Sequence, residues 1–242
     1  MPQLPKAILF DLDDTLIAAY GRPELAWAAV VAQFAGDLGA LPQTALVVAI
    51  GGAAAAFWAD PEQHRIWRQK LGDARREIVK AGFAALAAAG HAVPPDDIQR
   101  RLADRFTAYR DEQMHVFPDA HATLDALRAR GVRLALITNG DGAGQRAKIV
   151  RFALTERFDH IQIEGEHGFG KPELCSYTHA LQTLGVAARE AWIVGDNLEW
   201  EVIAPQKLGL FAIWYDPHGA GLPEGHAARP DRIVRTLGAL LD

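Results

Sequence analysis

Five short apolar runs constrain this chain more than any other feature. Residues 6–11 read KAILFD, 133–138 RLALIT, 160–164 HIQIE, 191–195 AWIVG and 210–215 LFAIWY. All but HIQIE, which alternates, are nearly continuous in apolar character, the pattern of a strand buried on both faces of a parallel sheet. Helical patterns accompany the later runs, at residues 119–130, 144–152, 173–184 and 199–208, the first of them closed by Gly131 as a C-cap. Strands alternating with helices build βαβ units, so the expected fold is α/β with a doubly wound, mainly parallel sheet.

The interval after the first run breaks this rhythm. Helix-period patterns cover residues 23–38, 44–58, 62–89 and 96–113, punctuated by residues 39–42, by Asp60-Pro61 and by residues 91–95. About a hundred helical residues therefore separate the first strand from the second. The expected organisation is an α/β core from residues 1–16 and 115–242, with an α-helical domain, residues 17–114, inserted into it.

Composition excludes several classes. Of 242 residues, half are hydrophobic and 23% charged, which is ordinary for a globular chain. The net charge of −5 and the absence of a basic block argue against nucleic acid as the partner. No apolar run reaches the ~18 residues of a membrane span. Residues 1–9 lack the basic and then long apolar regions of a signal peptide. The single cysteine, Cys175, permits no internal disulfide; together these features lead us to expect a cytoplasmic protein. Oligomeric state has no signature in the sequence.

Acids close the first run. In a strand-to-loop exit Asp11 and Asp13 can point the same way, because side chains alternate with period two. Two carboxylates at the C-terminal edge of a buried strand make a hard-oxygen site suited to Mg2+; the competing reading is a helix cap or a solvated turn. Thr138-Asn139-Gly140 ends the second run, where a hydroxyl and backbone amides can hold phosphate oxygens. Lys171 can neutralise crowded negative charge. Residues 165–171 also fit the opening of a P-loop, but Pro172 stands where that loop needs Ser or Thr for the metal. Asp196 follows the fourth run and would complete an oxygen-rich metal site beside Asp11.

Taken in order, these four groups resemble the motifs of the haloacid dehalogenase superfamily, in the phosphatase branch with a helical (C1-type) cap. D-x-D-x-T matches Asp11, Asp13 and Thr15; the second motif matches Thr138; K-P-E matches Lys171 to Glu173; and G-D-x-x-x-x-D matches Gly195 and Asp196, with Glu201 in place of the final Asp. The resemblance implies a Rossmann-like core and a magnesium-dependent phosphatase of small phosphorylated metabolites. It implies Asp11 as the nucleophile that forms an aspartyl-phosphate, which divides one hard displacement into two easier ones. Asp13 would protonate the leaving alcohol and then activate water. Leu12, Thr138, Asn139, Gly140 and Lys171 would hold the phosphoryl group. The metal ligands would be Asp11, Asp196 and the backbone carbonyl of Asp13. Glu201 would be a supporting acid, with Glu199 a competitor for the role.

Asp13 and Asp196 together favour phosphoryl chemistry over a dehalogenase of the same superfamily. The core motifs do not separate a phosphatase from a phosphomutase, and a binding homologue without activity is a further alternative. Residues 137–140, with Gln145, Arg146, Lys148 and Ile149, are similar to the branch of pyrimidine nucleotidases and N-acylneuraminate-9-phosphatase; phosphoglycolate phosphatases are close as well. Specificity would reside in the cap. Its stretch of His64, Arg65, Trp67, Arg68, Lys70, Arg75 and Arg76 reads as a solvated helix face in preference to an anion contact. Trp27, Trp58 and Trp67 read as packing. The nine histidines show no metal-ligand spacing along the sequence, and Cys175 reads as structural.

Overall fold

The computed structural model describes residues 4–242; the reading of residues 1–9 as lacking a leader lies partly outside them. The five apolar runs form five strands of a six-stranded sheet. The strands are β1 (Ala7–Phe10), β4 (Arg133–Thr138), β5 (His160–Ile163), β6 (Ala191–Gly195), β7 (Phe211–Tyr215) and β8 (Arg232–Val234). Their spatial order is β5-β4-β1-β6-β7-β8, every pairing is parallel, and Leu9 stands opposite Ala135 on one side and Ile193 on the other. The chain winds away from β1 in both directions, so the C-terminal ends of β1, β4 and β6 border the crevice where doubly wound sheets place their ligands.

Two pieces of strand lay below the threshold of the sequence pattern. β8 is three residues with an exposed middle, RIV, and β2 (Ile17–Ala18) pairs antiparallel with β3 (His115–Val116) over two residues each. That small pair ties residues 17 and 18, read above as part of the insertion, to the unit that holds the sheet. The chain divides into two compact units. One runs to Ala18 and resumes at His115; the other is Ala19–Met114.

The inserted unit is helical: α1 (Pro23–Gln33), α2 (Ala35–Leu38), α3 (Gln43–Trp58), α4 (Pro61–Trp67), α5 (Leu71–Ala88) and α6 (Asp96–Gln113). The pattern over residues 62–89 predicts one helix, but the structure has two, parted at residues 68–70. Its core joins Trp27, Val30, Leu46, Ile50, Val79, Phe83, Leu102 and Phe106. Trp27 stacks on Phe106 with ring centroids 3.5 Å apart and planes 6° from parallel, so it is a packing residue. A Cβ on Gly82 would lie 3.1 Å from the Ile50 side chain, which shows how closely α5 approaches α3. Two cations of the basic stretch are paired locally, Arg65 with Glu62 and Arg76 with Asp73 and Asp104, and Arg68 is buried. No single described helix is long and apolar enough to cross a membrane; α3 and α4 reach that composition only together, and the chain bends by 101° between them.

The sheet unit carries α7 (Ala120–Ala129), α8 (Gly142–Arg151), α9 (Glu164–His167), α10 (Leu174–Leu184), a π-type turn over Leu198–Ile203 and α11 (Ala204–Gln206). Alternation sorts the strand residues. Ala7 and Leu9 join Ala135, Ile137, Ile193 and Ala212 in one cluster, with Tyr177, Leu181 and Leu184 of α10 and Val202 of the π-type turn. Ile8 and Phe10 fall outside it, and Phe10 meets Phe158 edge-on at 6.2 Å. Two local expectations change. Glu164 opens α9 instead of ending β5. The pattern at residues 199–208 is not one α-helix but the π-type turn followed by α11, with Asn197 capping the turn by accepting from the Glu199 and Trp200 amides.

Candidate active site

β1 delivers Asp11 to the crevice, held by its amide to Val194 O at 3.0 Å. Its carboxylate is buried. Thr15 Oγ1 donates to Oδ2 at 3.1 Å, and Lys171 Nζ donates to Oδ1 at 2.5 Å. The same ammonium donates to Glu201 Oε1 at 2.7 Å. Lys171 and Glu201 are 1% and 0% exposed, so this is a buried cation shared by two carboxylates from β1 and the segment after β6. Burial would lower the Lys171 ammonium, but Asp11 and Glu201 raise it above its ordinary value.

The choice between Glu199 and Glu201 follows from the turn at Asn197. Glu199 is exposed. Glu201 comes round the capped turn, accepts the Asn197 amide on Oε2 at 2.9 Å and folds back over Gly195. Burial, its largest influence, pushes its carboxyl up to about 7 against the pull of Lys171. A Cβ on Gly195 would overlap Glu201 Cγ. Gly195→Ala is accordingly expected to displace Glu201 and destabilise the sheet unit by about 1–3 kcal/mol, a fall of several degrees in Tm by roughly 2–4 °C per kcal/mol. A melting curve that superimposes on the wild type would refute this packing account.

Asp13 is fixed by a different pair. Lys148 Nζ donates to both of its oxygens, at 2.8 and 3.0 Å, and Gln145 Nε2 lies 2.9 Å from Oδ2. Gln145 Nε2 also reaches Thr138 Oγ1 at 2.6 Å and Asn139 O at 2.9 Å. Sequence reasoning noted Gln145 and Lys148 only as marks of a branch. Their spacing on α8, three residues apart, is the signal that both lie on one helix face. Thr138 is buried at the end of β4.

The second motif is largely engaged by the protein itself. Asn139 Nδ2 donates to Lys171 O at 2.7 Å and Asn139 Oδ1 accepts the Lys171 amide at 2.8 Å, so this side chain clamps the Lys171 backbone. The Gly140 amide, expected to be open to an anion, donates to Glu164 Oε2 at 3.0 Å. A Cβ on Gly170 would stand 2.6 Å from Asn139 Oδ1 and 2.8 Å from Glu164, so glycine there permits the clamp. Leu12 is fully buried; its carbonyl accepts from Leu16 and Ile17, and a hydrogen bond from its backbone favours the charged form of Asp11.

Asp196 stands at the end of β6, its carbonyl accepting Trp214 Nε1 at 2.7 Å. Its carboxyl is raised well above the usual range by burial first, then by Asp11, Glu201 and Asp14. Asp11 is also raised, by burial, with Lys171 opposing. Asp11, Asp196 and Glu201 thus share the one ammonium of Lys171, and the site is short of positive charge. Oxygen-only donors with excess negative charge suit a hard divalent cation. The Asp13 side chain is engaged by Lys148 and Gln145, and the ligand that the family resemblance implies from this residue is its backbone carbonyl.

Comparison with known proteins places the chain in a family. A model of haloacid dehalogenase-like hydrolases matches residues 5–209. The chain belongs to the haloacid dehalogenase-like hydrolase family. Among curated relatives it is 37% identical over 189 residues to a phosphoserine phosphatase of Thermus thermophilus, covering 77% of this chain and 67% of that one. It is 26% identical over 239 residues to the pyrimidine 5'-nucleotidase PynA of Streptococcus pneumoniae, covering 98% and 94%. Among solved structures, a 2-haloacid dehalogenase of Pseudomonas syringae pv. Tomato superposes with a TM-score of 0.60 at 26% identity, covering 98% of this chain and 97% of that chain. The family's α/β fold is the one described above.

Proposed function

We propose that this phosphoric monoester hydrolase is Mg2+-dependent and works through an aspartyl-phosphate on Asp11. One observation carries the reading: a buried aspartate at the end of the central strand is held by Lys171 and Thr15, beside an Asp196 carboxyl that burial and the neighbouring acids raise well above its ordinary range. The phosphatase names of the relatives support phosphoryl transfer over dehalogenation.

When bound, Mg2+ held by Asp11, Asp196 and the Asp13 carbonyl would offset phosphate charge at the nucleophile. An Asp11 oxygen attacks phosphorus, and the bond from phosphorus to the ester oxygen breaks. A proton held by the Lys148–Asp13 pair passes through Asp13 to the departing alkoxide, and the alcohol leaves. Asp13, now ionised, takes a proton from water, whose oxygen attacks phosphorus. The bond to Asp11 breaks, which restores the carboxylate and releases inorganic phosphate. Lys171 stabilises the equatorial charge in both steps, Glu201 orients its ammonium, and Thr138 contributes a hydroxyl to the phosphoryl oxygens. Lys148 and Gln145 hold Asp13 in position.

The substrate is a small phosphorylated metabolite, and the helical insertion, residues 19–114, acts as the cap that selects it, because every reacting group belongs to the other unit. The exposed thiol of Cys175 fits a reducing cytoplasm. The test is p-nitrophenyl phosphate turnover by EDTA-treated protein with and without MgCl2. Turnover is expected to appear on Mg2+ addition and to vanish, by at least about 100-fold, on chelation. Equal turnover in EDTA would overturn the metal assignment, and no turnover in either condition would favour a binding protein. A phosphorylated-metabolite panel read by phosphate release then identifies the substrate.

A further inference from the structure

The histidines that carry no spacing signal in the sequence meet in space. His160 begins β5, His167 ends α9 and His179 lies on α10, and one nitrogen from each ring lies within 4.8 Å of one from each of the others. The ring centroids are 5.4, 5.5 and 6.1 Å apart, and all three residues are half-buried.

Hydrogen bonds settle the tautomers of two of them. His167 Nδ1 is 3.1 Å from Ile163 O, and a carbonyl only accepts, so Nδ1 carries the proton. His179 Nδ1 is 2.9 Å from Gln162 Oε1. The orientation of that amide is itself determined, because Gln162 Nε2 donates to Ser176 O at 3.0 Å. His179 Nδ1 is therefore the donor as well. The neutral tautomer of each ring therefore presents Nε2 as its lone-pair nitrogen. His160 Nε2 is buried and has no hydrogen-bond partner. A metal-binding histidine characteristically donates its other N–H to a carbonyl or amide oxygen, which sets the tautomer and aims the ring. His167 and His179 are both held in that way.

We propose that His160, His167 and His179 form a second metal site that takes a borderline-soft divalent ion such as Zn2+. Three imidazole nitrogens select zinc, nickel or copper over magnesium. Tetrahedral zinc, with Zn–N near 2.0–2.1 Å, needs nitrogens about 3.4 Å apart, so binding would draw the three rings together from their separation within 4.8 Å. The ion would tie β5 to α9 and α10, the two helices that flank the loop bearing Lys171. It would raise thermal stability without entering the reaction, and the inference is independent of the carboxylate chemistry at Asp11.

The experiment uses tag-free, EDTA-stripped, full-length protein in saturating MgCl2, titrated calorimetrically with ZnCl2. One Zn2+ per chain is expected, with at least about tenfold weaker binding in His167→Gln and in His179→Gln, and undiminished binding in Asp196→Asn. Zinc-edge X-ray absorption of the wild-type complex reads the ligands without any variant and should give three imidazoles. An oxygen-dominated shell, no zinc uptake, or zinc affinity lost in Asp196→Asn and kept in both histidine variants would overturn the proposal.

Discussion

Lys171→Met is expected to destabilise the sheet unit by about 3–5 kcal/mol in metal-free buffer, because it leaves two buried carboxylates without their cation. Asp11 and Glu201 both bond this ammonium, at 2.5 and 2.7 Å, and all three groups are buried. The methionine side chain fills the space but offers no donor. At roughly 2–4 °C per kcal/mol, Tm should fall by about 10 °C. The loss should depend on pH with a definite sign. Carboxyls whose folded pKa is raised contribute stability that is complete below about 4.5 and is lost as pH rises through the folded value. Glu201 stands at about 7 with Lys171 present, so its share of the variant's deficit should be absent near pH 4 and grow as pH rises through about 7. Chemical denaturation at several pH values checks this. A variant as stable as the wild type at pH 8 would mean that the ammonium does not offset these charges.

Asp11→Asn is expected to cut p-nitrophenyl phosphate turnover by at least about 10³-fold, roughly 4 kcal/mol of transition-state stabilisation, while the protein remains folded. The amide keeps the shape and can still accept from Lys171 and meet Thr15, but it has no charged oxygen with which to attack phosphorus. Removing one negative charge from a crowded site should leave Tm unchanged or higher, since Asp196 is raised partly by Asp11. Acid-stable labelling by a radiolabelled phosphate ester should mark the wild type and spare the variant. Undiminished turnover in a folded Asp11→Asn protein would exclude the nucleophile, and a lost label with retained turnover would point to direct attack by water.

The parts of the fold that rest on local pattern were legible in the sequence. Runs such as KAILFD and RLALIT are strands because their residues are apolar on both faces, and a parallel sheet is the environment that buries both. The weak elements escaped. β8 is too short and too exposed to register, β2–β3 has two residues per strand, and the break between α4 and α5 has no proline or glycine at residues 68–70 to announce it. The acids and the lysine of the site were visible because they stand at the ends of strong runs. Lys148 and Gln145 were not, since their partner Asp13 is more than a hundred residues away, and the engagement of Asn139 with the Lys171 backbone is likewise a contact between distant segments.

The sequence by itself determined the alternation of strand and helix, the long helical insertion after β1, and the order of carboxylates, threonine and lysine along the chain, because periodicity and composition act over a few neighbouring residues. Only the tertiary structure decided that β1 lies between β4 and β6, that Glu201 meets Lys171 while Glu199 faces solvent, and that three scattered histidines converge. Strand order follows from how helices cover both faces of the sheet. The choice of glutamate follows from the Asn197 cap and the absent side chain of Gly195. The histidines meet because β5, α9 and α10 pack together, and no local spacing encodes that contact.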